Sequence, residues 1–408
     1  MKNMPFLTSH PRCDVRWRRS SRHGLSLQPI WRLLTIGGVI LASALPLAAD
    51  ESEPPSQLRQ LTIQRDGTRS TIHGRVLVEA ADGGILFESQ DTRYWLLQVN
   101  EIVAQTPIDK PFRILERKEF TEQLLQEFPG FESSTTANYV IVHNTTRAYA
   151  DWCGGLYERL HRAFLNYWKT RGLKLASPKY PLVAVVFKNR DAYEAYAVQD
   201  IGPSAKLMLG YFNIQTNRVV MFDLTGVENA TFGRVTSADQ VNRILLQPAA
   251  ERTVATIVHE ATHQISYNCG LQTRLAGNPK WVSEGMAIFF ETPDLRNRRG
   301  WSGIGKIHRL HMANFLNRPP GNGVIRRIVS DDQQFGNAAT AASAYSQAWA
   351  LTYYLQKTRK KQYSQYIRGL SELEPLAEET VEQRISRFQS AFGDIPKLEG
   401  SFLAFMFR

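Results

Sequence analysis

The chain has 408 residues, 43% apolar and 21% charged, with no low-complexity tract; this is enough to bury a sizeable core, as one large domain with a smaller one, and excludes a disordered protein. Its formal charge of +11 looks at first like a nucleic-acid signal. However, Lys2, Arg12, Arg16, Arg18, Arg19, Arg22 and Arg32 against Asp14 put more than half of that excess into the first 49 residues, so the remainder is mildly basic and no nucleic-acid partner is expected.

The leader comes first in chain order. Its basic region runs to Arg32, the apolar stretch LLTIGGVILASALPLAA follows from Leu33, and acidic DESEPP begins at Asp50. A basic segment, a short apolar core and small residues at its end predict a secretory signal peptide over 1–49, cut near Ala49, with 50–57 as a linker. The apolar run is shorter than the ~20 residues that cross a bilayer, and Pro46 interrupts it, so no stable membrane span is expected after cleavage. Arg18 and Arg19 raise a twin-arginine export route, but they lie far from the apolar core. The expected location is therefore periplasmic or extracellular. In such a compartment Cys153 and Cys269, the two cysteines left once Cys13 is removed, form either a disulfide or a pair of buried thiols.

Residues 58–110 read as a small antiparallel β module. LTIQRDG, TIHGRVLVEA, GGILFES and YWLLQV alternate apolar and polar residues and are punctuated by Asp66-Gly67, Asp82-Gly83-Gly84 and Asp91. His73 falls in a strand without any ligand spacing. The stretch TPIDKPF, marked by prolines, opens a connector over 111–136 that leads to the second region.

From residue 137 to 408, apolar runs and helical periodicity alternate. NYVIVHN and PLVAVVF predict buried strands, residues 155–171 and 190–198 predict helices, and GYFNIQTNRVVMFDL predicts a hairpin turning near Thr216-Asn217. A long helix follows from about Glu251 to Cys269, stopped by Gly270. Together these elements make an α+β fold, a mixed sheet with helices upon it and a helical C-terminal part.

The long helix carries IVHEATHQISYNCGL. His259 and His263 are one turn apart on the same face, and Glu260 sits beside them. Two imidazoles at i and i+4 can supply two of the three protein ligands of a catalytic zinc. A third candidate lies in NPKWVSEGMAIFFE, where Pro279 suits the first turn of a helix and Glu284 is a lone carboxylate in an apolar segment, with Gly285 and Ala287 allowing close helix packing. Glu291 ends that helix and reads as a surface residue or a support for a ligand. His308 and His311 in KIHRLHMANFL sit in a basic amphipathic segment with no third ligand nearby, and read as a solvated helix.

HEATH followed by WVSEGMA resembles the gluzincin metallopeptidases, the thermolysin-like superfamily. TIVHEATHQISYNCGL and PKWVSEGMAIFFE further resemble a family of exported bacterial proteins described only as a domain of unknown function. The resemblance implies a zincin-like metallopeptidase domain over 137–408 with one zinc ion held by His259, His263 and Glu284, and with Glu260 as general base. It also implies an oxyanion donor, for which Tyr345, at the start of the helix SAYSQAWALTYYL, is the candidate, against an ordinary packing role. In the superfamily the strand bordering the cleft pairs with an extended substrate, and NRVVMFD, residues 217–223, is expected there.

The expected function is an exported zinc metallopeptidase acting on a peptide or protein substrate. The alternative is a catalytically inactive, peptidase-like envelope protein with a binding or structural role. Substrate preference would depend on loops such as 224–242 and 296–305, which a sequence alone does not orient.

Overall fold

The computed structural model describes residues 56–226, 236–292, 294–297 and 301–408. The expected signal peptide and nearly all of the linker lie outside the described residues, as do parts of the loops 224–242 and 296–305. Among the described residues no helix is long and apolar enough to cross a membrane. Two compact units divide the chain, one comprising 56–90 with 95–113 and the other 91–94 with 114–408.

The smaller unit is a five-stranded sheet. Its strands are β1 (Gln57–Arg65), β2 (Thr68–Glu79), β3 (Ile85–Ser89), β4 (Tyr94–Leu97) and β5 (Ile102–Pro111), in the order β4-β3-β2-β1-β5. Asp66 and Gly67 both take positive φ, 51° and 76°, as a two-residue hairpin loop between right-twisted strands requires. Alternation along the strands puts Leu61, Ile63, Ile85, Phe87 and Leu97 into a small core. His73 is exposed and faces Gln60 across the β1–β2 pair at 3.1 Å. TPIDKP, expected to open a connector, instead forms part of β5. Proline lacks the N–H that a ladder uses, and Pro107 and Pro111 are accommodated because β5 is an edge strand, paired with β1 alone.

The main segment of the larger unit begins at Ile114. The residues read as a connector contribute α1 (Arg117–Glu127) and β6 (Glu132–Thr135) to it; then come β7 (Tyr139–His143), α2 (Arg147–Lys169), β8 (Leu182–Phe187), α3 (Arg190–Ile201), β9 (Gly210–Asn213) and β10 (Arg218–Phe222). The sheet order is β6-β7-β8-β10-β9, with β7, β8 and β10 parallel and the outer strands antiparallel to their neighbours. The three inner strands are buried at every residue, which explains their unbroken apolar runs. This makes the architecture mixed α+β, helical towards the C-terminus.

One expectation fails here. Residues 217–223 do not border a cleft as an open strand: β10 is interior, hydrogen-bonded to β8 on one side and β9 on the other. The edge belongs to β9. A strand such as RVVMF, buried on both faces, belongs inside a sheet, and the hairpin that turns through Asn217 (φ 61°) delivers the shorter β9 to the outside.

The helical part continues with α4 (Ala238–Leu245), α5 (Glu251–Asn268), α6 (Lys280–Phe290), α7 (Arg309–Asn317), α8 (Val324–Ser330), α9 (Ala341–Thr358), α10 (Lys360–Ser371), α11 (Val381–Phe392) and α12 (Ile395–Met406). One continuous core joins the sheet to these helices, with Trp168, Trp281 and Trp349 among its largest fully buried side chains. Cys153 and Cys269 are both free and buried, so they form no disulfide. Burial pushes both thiols up, Cys269 to about 12. Cys269 faces His161, its Sγ 3.7 Å from Nε2.

Candidate metal centre

Helix α5 is held against the sheet through its buried face. Val254, Ile257, Val258, Ala261 and Ile265 recur at helical spacing and are all buried. Gln264 fixes the register: its Nε2 donates to the carbonyls of Val183 and Asn217, each at 2.9 Å, so the helix is tied to β8 and to the start of β10. Gly270, at φ 77°, closes the C-terminus in the left-handed conformation the sequence predicts for it. This register turns His259 and His263 towards α6.

Helix α6 brings Glu284 to meet them. Pro279 precedes its first turn, and the Lys280 N–H is capped by Asp332 Oδ1 at 2.9 Å. The His259 and His263 Nε2 atoms are 3.1 Å apart, and Glu284 Oε2 lies 3.2 Å from the first and 3.5 Å from the second. Tetrahedral bonds of ~2.0–2.1 Å would separate neighbouring donor atoms by about 3.3–3.4 Å, so the three donors fit one zinc-sized ion. All three side chains are buried, with Glu284 only 3% exposed.

The surroundings support that donor set. His259 Nδ1 is 2.7 Å from Glu291 Oε2, an arrangement that fixes the ring and leaves Nε2 facing the cluster. Burial opposes the charge on Glu284, yet the two imidazoles hold its carboxyl well below the ordinary range. Glu291 is likewise penalised by burial but brought down to about 2 by hydrogen bonds from His259 and His308. Burial pulls His259 down, and Glu284 and Glu291 more than reverse this, so its imidazolium is stabilised well above the usual range.

Glu260 points elsewhere. Its Oε2 accepts the Phe212 N–H of β9 at 2.8 Å, and burial raises its carboxyl despite the two imidazoles nearby. Phe212 and Tyr267 stack with ring centroids 5.9 Å apart, which puts Tyr267, one turn beyond His263, beside the same edge strand. Tyr345 lies near the start of α9, buried, with its ring edge-on to Phe335 at 5.4 Å.

His308 and His311, which the sequence places on a solvated helix with no third ligand, instead face a buried carboxylate. His308 caps α7, and His311 is buried at 5% exposure. Both face Glu291, His308 Nε2 at 2.8 Å and His311 Nε2 at 3.8 Å from Oε1. The group that completes this second cluster is the glutamate the sequence reads as a surface residue or a support. Its position at the end of an otherwise apolar helix was the available signal.

No curated protein matches the chain. Residues 253–377, which include His259, Glu260, His263, Glu284, Glu291, His308, His311 and Tyr345, match a family described as a protein of unknown function (DUF1570).

Proposed function

We propose that the protein is an exported, zinc-dependent metallopeptidase of the gluzincin type, with His259, His263 and Glu284 holding one zinc ion. The observation that carries this reading is the convergence of three buried donor atoms, 3.1–3.5 Å apart, from two helices. When bound there, zinc supplies Lewis acidity, which acidifies water and polarises a substrate carbonyl.

The chain's own residues have separable roles. Glu260 is fixed on one oxygen by the Phe212 N–H, and its raised carboxyl suits a group that takes a proton from the attacking water and returns it to the leaving amine. Glu291 holds the His259 ring from behind, through Nδ1. The edge of β9 replaces residues 217–223 as the strand that would align an extended peptide, because residues whose main-chain groups face away from β10 present them outward. Tyr345 is the proposed donor to the developing oxyanion.

Glu260→Gln tests the proposal. It preserves size and hydrogen bonding to Phe212 but cannot accept the proton. The variant should bind zinc normally and cleave peptides ~10²–10⁴-fold more slowly. The assay is digestion of a pooled peptide library by each zinc-loaded protein, with new termini read by mass spectrometry. Equal cleavage by variant and wild type would remove Glu260 from the mechanism; no cleavage by a zinc-loaded wild type would favour the inactive, binding-protein alternative.

A further inference from the structure

We propose that Glu291, His308 and His311 form a second site for a divalent transition-metal ion of the zinc type, lying behind His259 and separate from the first cluster. The inference does not require the first site to be occupied. It starts from the end of α6, where Glu291 divides its two oxygens: Oε2 meets His259 Nδ1 at 2.7 Å, and Oε1 turns to the start of α7. There His308 Nε2 and His311 Nε2 lie 2.8 and 3.8 Å from it. The rings of His308 and His311 are 4.6 Å apart between centroids, so both imidazoles converge on one carboxylate oxygen.

His311 carries the argument. Its Nδ1 is 3.3 Å from Ser346 Oγ, and that hydroxyl donates its own proton to the Ala342 carbonyl at 2.8 Å. Ser346 can therefore only accept from His311, which places the imidazole proton on Nδ1 and a lone pair on Nε2. That lone pair faces Glu291 Oε1, the oxygen that His308 also approaches, and a cation set against both would turn the approach of two acceptors into two bonds. Two bonds of ~2.0–2.2 Å reach across 3.8 Å, so one ion can contact both.

His308 closes the set by exchanging contacts. Its Nδ1 accepts the His311 N–H at 3.4 Å, a long bond; with the ring proton on Nδ1 that bond is given up, and Nε2 exchanges its 2.8 Å contact with Glu291 Oε1 for a metal held by both. Two imidazoles and one carboxylate suit zinc and its neighbours better than calcium or magnesium, which take oxygen ligands. An ion here would tie the end of α6 to the start of α7 and anchor Glu291, and so would stiffen the support behind His259.

The test is metal counting on the full-length mature protein, stripped with chelator and reloaded with zinc, with melting temperature as a second readout. Wild type should hold two zinc ions. His263→Ala and His311→Ala should each hold one, and zinc should still raise the melting temperature of His263→Ala. His308→Asn guards against misfolding, because asparagine keeps the helix cap while removing Nε2; it too should hold one. If wild type holds a single ion that His308→Asn and His311→Ala retain and His263→Ala loses, this proposal is overturned and the peptidase reading stands. If the single ion is instead lost from His308→Asn and kept by His263→Ala, the second site is upheld and the peptidase reading falls. Uptake of no zinc would overturn both.

Discussion

Gly285→Ala should loosen the metal centre without touching a ligand. A Cβ at Gly285 would sit 2.5 Å from the Ala348 carbonyl oxygen and closer still to Thr352 Oγ1, so α6 and α9 meet backbone to backbone there. Ordinary contact begins at 3.4 Å, so the methyl group is about 0.9 Å too close to a main-chain atom that cannot rotate away. Helix α6 must move outward by roughly that amount, and overpacking of this kind costs about 1–3 kcal/mol. For a unit of this size the melting temperature should fall by roughly 2–12 °C. Glu284 is the adjacent residue and shares the displacement. Metal sites hold donor distances to within ~0.2 Å, so zinc affinity should fall by at least about tenfold. Calorimetry and competition with a zinc-binding dye measure the two effects on one sample. Unchanged melting and unchanged affinity would show that α6 is not seated on α9 as described, and that the position of Glu284 does not depend on that contact.

Tyr345→Phe keeps the edge-on contact with Phe335 and removes only the hydroxyl; if Tyr345 is the oxyanion donor, kcat should fall ~10²–10³-fold with KM little changed, and an unaltered kcat would assign it to packing alone. Cys153 and Cys269 should both resist alkylation in the folded protein and react after unfolding, while reductant leaves the melting curve unmoved; a reductant-sensitive transition would mean that the thiols pair. Glu399 accepts the N–H groups of Gly323 and Ile325 at 2.7 and 2.9 Å at the start of α8. Glu399→Ala should therefore cost about 1–2 kcal/mol by chemical denaturation, and a change within error would mean that water replaces the cap.

The parts of this structure legible in sequence are those in which cause and effect lie close along the chain. The inner strands announce themselves because a strand covered on both faces needs unbroken apolar side chains, as in LVAVVF. The spacing of His259 and His263 fixes a shared face wherever a helix forms, and Glu284 stands out as a carboxylate in an apolar helix. Strand order is different in kind. Whether β9 or β10 takes the edge depends on how β8 and β10 come to lie side by side through α3 and the hairpin, a pairing that no local pattern in RVVMF encodes. Prolines mislead for a related reason: Pro107 and Pro111 are compatible with a strand only at an edge, so their reading as a connector could be corrected only once β5 was known to be one.

The second cluster shows the same limit at the level of chemistry. His308 and His311 read as solvated because the residues around them are basic and amphipathic, yet what buries His311 is α9, where Ser346 contacts its ring. Glu291, 17 residues before His308, shows the complementary half of the signal, a carboxylate ending an apolar helix. Each half taken alone has an ordinary explanation. A buried carboxylate in a helix with no neighbour of opposite charge in sequence must find its partner from another element, because leaving it unpaired is too costly. Glu291 meets that condition, and Glu284 has only Lys280, one turn earlier, as a basic neighbour; seven residues apart on α6, Glu284 faces His259 and His263, and Glu291 faces His259, His308 and His311. Applied evenly, the reasoning that makes Glu284 a ligand would have asked the same of Glu291, and histidines were the residues best able to answer.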